Sequence, residues 1–264
     1  MAPCPAQVEV LHAVQWRDLL PLRRSEVAGE LALSLPWLAC SLFAAATGHE
    51  LVALACSFMF FLTGLRQVHN AFHNALGLSR AGSDWVMLVL SVLMLGSMHA
   101  VQVNHLRHHR HCMAEDDIEA MGARRSALGA MLLGPWFPWC LHRKALEVGT
   151  PIQRRWILLE LLANCAWIGA VFLLDYWPLQ YHVLAMATAQ CLTAFFAVWT
   201  THHGCAPDGP IARTIRNRFK ATIAYDMFYH FEHHMFPAVP TCRLAILAGR
   251  IDAVVPELRM RYVY

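Results

Sequence analysis

The chain has 264 residues, 57% of them hydrophobic and only 15% charged, with a mean hydropathy of +0.39. Soluble globular chains carry about 25% charged residues, so an ordinary soluble protein is excluded, and the apolar content excludes disorder. A net charge of +3 supplies no basic stripe, so no nucleic-acid partner is expected.

Residues 1–26 are mixed in polarity and lack the basic-then-apolar order of a signal peptide. Apolar stretches then follow at 28–47, 50–68, 84–103, 156–175 and 182–201, each close to the ~20 residues that cross a bilayer core as a helix. A shorter apolar piece at 128–141 contains Gly134, Pro135 and Pro138 and reads as interfacial or re-entrant. Beyond Thr201 the chain is polar, aromatic and arginine-rich. The 9 cysteines form no C-x-x-C pair, which leaves disulfide frameworks, zinc knuckles and haem attachment unsupported.

The turns at Gly48–Glu50 and Asp175–Tyr181 contain no Lys or Arg, so the positive-inside rule points the two hairpins 28–68 and 156–201 outward. Both termini and the central region are then expected on the cytoplasmic side. A single crossing by 84–103 would put Arg66 and Arg80 opposite Arg107 and Arg110, so that helix is expected to lie in the interface or to dip in and return. The expected fold is an all-α integral membrane protein. About four transmembrane helices in two hairpins would carry interfacial or re-entrant helices and a cytoplasmic histidine-rich metal-binding cap; six spans are the alternative. One domain covers 1–264: a cytoplasmic segment 1–26, a membrane region 28–201 with two histidine clusters, and a cytoplasmic part 202–264 with the third.

The chain has 16 histidines, and half of them fall in three clusters on the expected cytoplasmic side. They are His69-Asn-Ala-Phe-His73, His105-Leu-Arg-His108-His109 and His230-Phe-Glu-His233-His234. On a helix, residues i, i+3 and i+4 share a face, so each cluster aims its imidazoles at one region. The three together supply eight ring nitrogens, and His202 or His203 at the end of the last span a ninth. Zinc is saturated by four ligands, so this number suits two ions. Nitrogen ligation by itself admits Zn, Cu, Fe or Ni. His12, His49, His99, His142 and His182 lie outside the clusters and read as structural.

The pattern H-x-x-x-H, H-x-x-H-H, H-x-x-H-H resembles that of the membrane fatty acid desaturase superfamily, which also includes lipid hydroxylases and carotenoid ketolases. The run Glu115-Asp116-Asp117 after the second box and EHHMFPAVP at the third strengthen the resemblance. It implies a non-haem diiron centre with dioxygen as co-substrate and His69, His73, His105, His108, His109, His230, His233 and His234 as metal ligands. It also implies a further ligand at the end of the fourth span, His202 or His203, with His202 preferred. The implied activity is a fatty acyl desaturase; a lipid or carotenoid hydroxylase or ketolase is the alternative on the same site, and a zinc-dependent membrane hydrolase a more distant one. Ligating imidazoles usually donate their other N–H to a carboxylate or carbonyl. Asp226, four residues before His230, is the favoured partner, with Asp116, Asp117 and Glu232 also near. The implied partners are a lipid or fatty acyl substrate and a separate electron donor, a ferredoxin or a b-type cytochrome with its reductase. The implied location is a bacterial inner membrane.

Overall fold

The computed structural model describes residues 13–206 and 211–256; residues 1–12, with His12, lie outside them. Among the described residues every regular element is a helix. Helices α1 (Arg24–Ala32) and α2 (Leu35–Ala46) run on as one apolar rod of 23 residues, and α3 (Glu50–Phe72) is another of 23. Next come α4 (Arg80–Met94), α5 (Met98–His111), the short α6 (Ala127–Met131), α7 (Trp136–Val148) and α8 (Pro151–Leu174). Then α9 (Trp177–Cys191) leads into a π-helical turn, Ala194–Trp199, and a last turn, Thr200–His202. The C-terminal part holds α10 (Arg218–Ile223), α11 (His230–Met235) and α12 (Leu244–Val254).

The starts of these helices follow from local chemistry. Ser79 Oγ accepts from Gly82 N–H at the start of α4, and Ser97 Oγ from Ala100 N–H at the start of α5. Thr150 and Gln153 form a reciprocal capping box on α8, with Pro151 in its first turn.

Three helical segments, Arg24–Ala46, Glu50–Phe72 and Pro151–Leu174, are long and apolar enough to cross a bilayer. Their outward faces are apolar and open: Leu51 is 85% exposed and Leu173 89%, as lipid-facing side chains are. The protein is an all-helical membrane protein. The remaining two apolar stretches are bent pairs. The element expected at 84–103 is split at Leu95–Ser97, where α4 and α5 meet at 113° and Leu95 takes a left-handed φ of +55°. The second arm runs past 103 to His111 and carries the second box. The stretch expected at 182–201 starts at Trp177 and bends by 45° before the π-turn. With each bent pair counted as one span the total reaches five.

The bend between α4 and α5 is held from α8. Glu160 is fully buried midway along that helix; it accepts from Ser97 Oγ at 2.5 Å, from His99 N–H at 3.1 Å and pairs with His99 Nδ1 at 2.7 Å. A carboxylate at membrane depth requires such partners. The packing around it is apolar: Phe60, Phe61, Met87, Met94, Met98 and Met186 join α3, α4, α5 and α9. A separate core of Phe231, Phe236, Leu244, Leu247 and Ile251 secures the C-terminal part.

Candidate metal centre

The first box stands on the polar end of α3. That helix runs four residues beyond its expected limit because its last turns exchange apolar partners for polar ones. Arg66 pairs with Glu30 of α1 and donates to Tyr225 O at 2.7 Å; Asn70 Nδ2 donates to Glu30, and Asn70 Oδ1 accepts from Thr241 N–H and Oγ1–H. These contacts tie α1, α3 and the segment after box three together. The third box fills α11, whose outer side is anchored by Glu232. This buried carboxylate accepts from Thr214 Oγ1 and lies 2.7 Å from Arg216, which also pairs with Asp252 of α12.

Nine imidazoles meet between α3, α5, the end of the π-turn and α11, and they sort into two sets. In the first, ligand atoms of His69, His73, His105 and His233 lie within 4.8 Å of one another, and His109 Nε2 is 3.1 Å from His105 Nε2 and 2.9 Å from His233 Nε2. In the second, His202 Nε2 is 3.1 Å from His108 Nε2 and 2.9 Å from His230 Nε2, and His234 Nε2 is 3.2 Å from His230 Nε2. The neighbours His108 and His109 thus serve different sets. Cys112, one turn beyond His108, places its Sγ 3.7 Å from His108 Nε2.

The second nitrogens of three rings are committed elsewhere. His105 Nδ1 is 2.8 Å from Glu119, His108 Nδ1 is 2.7 Å from Asp117, and His202 Nδ1 is 2.9 Å from the carbonyl of Ile211. Carbonyls and ionised carboxylates only accept, so Nδ1 carries the proton in His108 and His202, and in His105 when Glu119 is ionised; in the neutral ring Nε2 then presents a lone pair. His108 Nε2 and His202 Nε2 lie 3.1 Å apart, and as neutral ligands, the form that binds a metal, both rings would turn a lone pair into the space between them. His69 Nε2 is buried with no hydrogen-bond partner. Burial also holds His230, His233 and His234 well below the ordinary imidazole range, which keeps them neutral. Opposed, desolvated lone pairs repel unless a cation lies between them. The donor set thus fits two metal ions, one for each group.

The spacing says more. With metal–nitrogen bonds near 2.1 Å, neighbouring ligand nitrogens are about 3.0 Å apart at a right angle and about 3.4 Å apart in a tetrahedron. The close contacts here run from 2.9 to 3.2 Å. Five imidazoles in the first set exceed the four ligands that saturate a tetrahedral ion.

The two carboxylates have different environments. Burial pulls Asp117 upward, but the bond from His108 and the N–H groups of Met113 and Ala120 outweigh it and hold the carboxyl below its usual value. Burial pushes Glu119 up to about 7. Both sit on the loop after α5, pressed against the π-turn at Gly122; a Cβ there would lie 2.3 Å from Ala194 O.

Two sequence expectations are corrected by this placement. His203 does not join the cluster: it is exposed and stacks on Trp199, ring centroids 4.5 Å apart. The π-turn rotates His202 inward and leaves its neighbour outside. Asp226 makes no contact with a box histidine among the described contacts. It lies in a left-handed turn (φ +59°) before α11 begins, so the helix-face argument lapses, and burial raises its carboxyl against the pull of Arg66. Of the other acids weighed, Asp117 meets His108, Glu232 faces away, and Asp116 pairs with Arg107 on the surface. Glu119 is not legible in the sequence, because it stands 14 positions after His105, on the non-periodic chain beyond the end of α5. His99, His142 and His182 are hydrogen-bonded within the helix packing.

His69, His105, His230 and Glu119 also line an inner chamber of about 120 Å³, with Met98, Phe137 and Leu141 in its apolar wall. Leu62, Leu65, Phe196 and Phe228 border both this chamber and an apolar groove of about 590 Å³ between α3 and α9.

Comparison with known proteins agrees with this architecture. A β-carotene ketolase from Paracoccus sp. (strain N81106 / MBIC 01143) is 28% identical over 248 residues, covering 88% of this chain and 95% of that protein. The family model for fatty acid desaturases matches residues 33–264. With histidines, membrane helices and family model in agreement over most of its length, the chain belongs to the fatty acid desaturase family.

Proposed function

We propose that the nine histidines hold two non-haem irons and that the protein uses dioxygen to oxidise a C–H bond of a long apolar lipid, first of all by desaturating a fatty acyl chain. The observation that carries this reading is the chamber: its wall includes imidazoles of both sets, and it shares Leu62, Leu65, Phe196 and Phe228 with an apolar groove. Iron, when bound, supplies the activation of dioxygen that an unactivated C–H bond demands.

The chain's own residues do the rest. Glu119, Asp117 and the Ile211 carbonyl hold three imidazoles in the ligating tautomer. Phe72, Met98, Phe137 and Leu141 keep the chamber dry, and Leu62, Leu65, Phe196 and Phe228 set the width through which a hydrocarbon passes. The five-nitrogen set favours iron over a hydrolytic zinc, which would need about three ligands and an open position. The reading includes a multi-pass location in a bacterial inner membrane with termini and metal site cytoplasmic. It also includes a separate electron donor, a ferredoxin or a b-type cytochrome with its reductase, docking near the exposed Arg110 and Arg125.

A second product class, ketolation or hydroxylation of a carotenoid, is favoured by the β-carotene ketolase that the chain resembles over 95% of that protein's length. The test is iron-loaded protein in vesicles holding acyl lipid and β-carotene, supplied with an electron donor and oxygen-18 gas. New acyl double bonds without label support the first reading, and labelled carotenoid supports the second. Turnover without oxygen or reductant overturns both.

A further inference from the structure

The apolar groove has one charged residue in its lining, Lys220 on α10. Lys220 is exposed, and its ammonium has no partner among the described contacts. Ile223 and Ala224 of the same segment line the groove beside it, and Phe228 four residues on borders both groove and chamber.

The polar atoms elsewhere in the groove are already spent. Ser41 donates to Ala53 O, so Ser57 donates to Ser41, and Tyr181 to Ser57. Thr188 donates to Leu184 O within its own helix. The groove thus offers hydrocarbon contact along its length, one cation, and no other free side-chain donor. A pure hydrocarbon makes no use of that ammonium. A phospholipid would bring ester carbonyls as well as a phosphate, with nothing to receive them. A single hydrocarbon chain ending in one negative charge matches the inventory.

We infer that Lys220 is the head-group site of the substrate groove: its ammonium pairs with the carboxylate of an ionised long-chain fatty acid, whose hydrocarbon runs past Phe228 and Leu65 toward the chamber. The inference rests on the lipid-oxidising reading above and narrows its substrate class. The lysine stem lies along apolar surface while the charge stays at the water boundary, as lysines at such boundaries do.

The test needs neither turnover nor metal. Purified full-length protein in neutral detergent is titrated with cis-parinaric acid and with its methyl ester, at a pH where the acid is ionised, and probe fluorescence is followed. The acid is expected to bind about fivefold tighter than the ester, the scale of a partly exposed ion pair. Lys220→Met is expected to erase that preference without weakening the ester, and Lys220→Arg to keep it. Equal binding of acid and ester by the wild type overturns the head-group site while leaving the lipid reading in place. Failure of both probes to bind overturns both. Displacement by phosphatidylglycerol that exceeds displacement by oleate and depends on Lys220 assigns the site to phosphate and overturns the carboxylate.

Discussion

Replacing Asp117 with Asn tests whether the paired lone pairs are held for a metal. The side chains of His108 and Asp117 are 0% and 2% exposed, and their contact at 2.7 Å joins a ring N–H to an ionised carboxylate. A hydrogen bond to a charged group contributes about 1.5–3 kcal/mol, roughly twice a neutral one, so loss of the charge alone removes about 1–1.5 kcal/mol. Asp117 also accepts from Met113 and Ala120 N–H, and an amide with one oxygen turns its own N–H₂ toward one of these donors. If that N–H₂ faces His108, the ring moves its proton to Nε2 and its lone pair leaves the cluster. The expected cost is 10- to 100-fold in metal affinity, about 1.4–2.7 kcal/mol, confined to the second set. Graded chelator competition with metal counted per chain would show one ion released early and the other retained, with the helical circular dichroism unchanged. Retention of both ions at wild-type chelator concentrations would refute the tautomer argument.

Other consequences are as direct. His202→Ala is expected to lose one metal per chain and His203→Ala to lose none, read by elemental analysis; equal loss from both would contradict the rotation made by the π-turn. Leu65→Trp narrows the passage shared by groove and chamber, so turnover of a long lipid should drop at least tenfold with metal content intact, measured side by side on the same preparation. Glu232→Ala leaves Arg216 with Asp252 as its one carboxylate partner, a loss of about 1.5–3 kcal/mol that should appear as an earlier melting transition. An unshifted transition would show that α11 is held by its apolar side alone.

The histidine boxes were legible in the sequence because their residue type and helical spacing survive any error in helix limits. Their partition was not. His108 and His109 are adjacent, yet one helix step of about 100° sends them to different sets, and only the positions of α3 and α11 decide which goes where. His202 and His203 were indistinguishable for a related reason: a π-turn has no strong sequence signature, and it alone chooses which ring faces inward. Asp226 was favoured by assuming that α11 extends back one turn, whereas the chain there is left-handed. Glu119 reaches His105 through a loop that obeys no period. Charge topology asks only that 84–103 lie in the interface or dip in and return; the bend at Leu95–Ser97 is not legible there, since Glu160, which holds it, lies over sixty residues further along the chain.

The interleaving of the two sets also imposes an order on assembly. Four members of the first set, His69, His73, His105 and His109, precede residue 230, whereas the second set has only His108 and His202 before that point. A growing chain therefore exposes a nearly finished first pocket while the second is half built. Domains form as synthesis proceeds from the N-terminus. On the two-ion proposal, the first site could be filled while the ribosome is still at work, and the second only after the C-terminal part has folded back onto the helices. Maturation would then have an intrinsic sequence, with the last helices completing the second site.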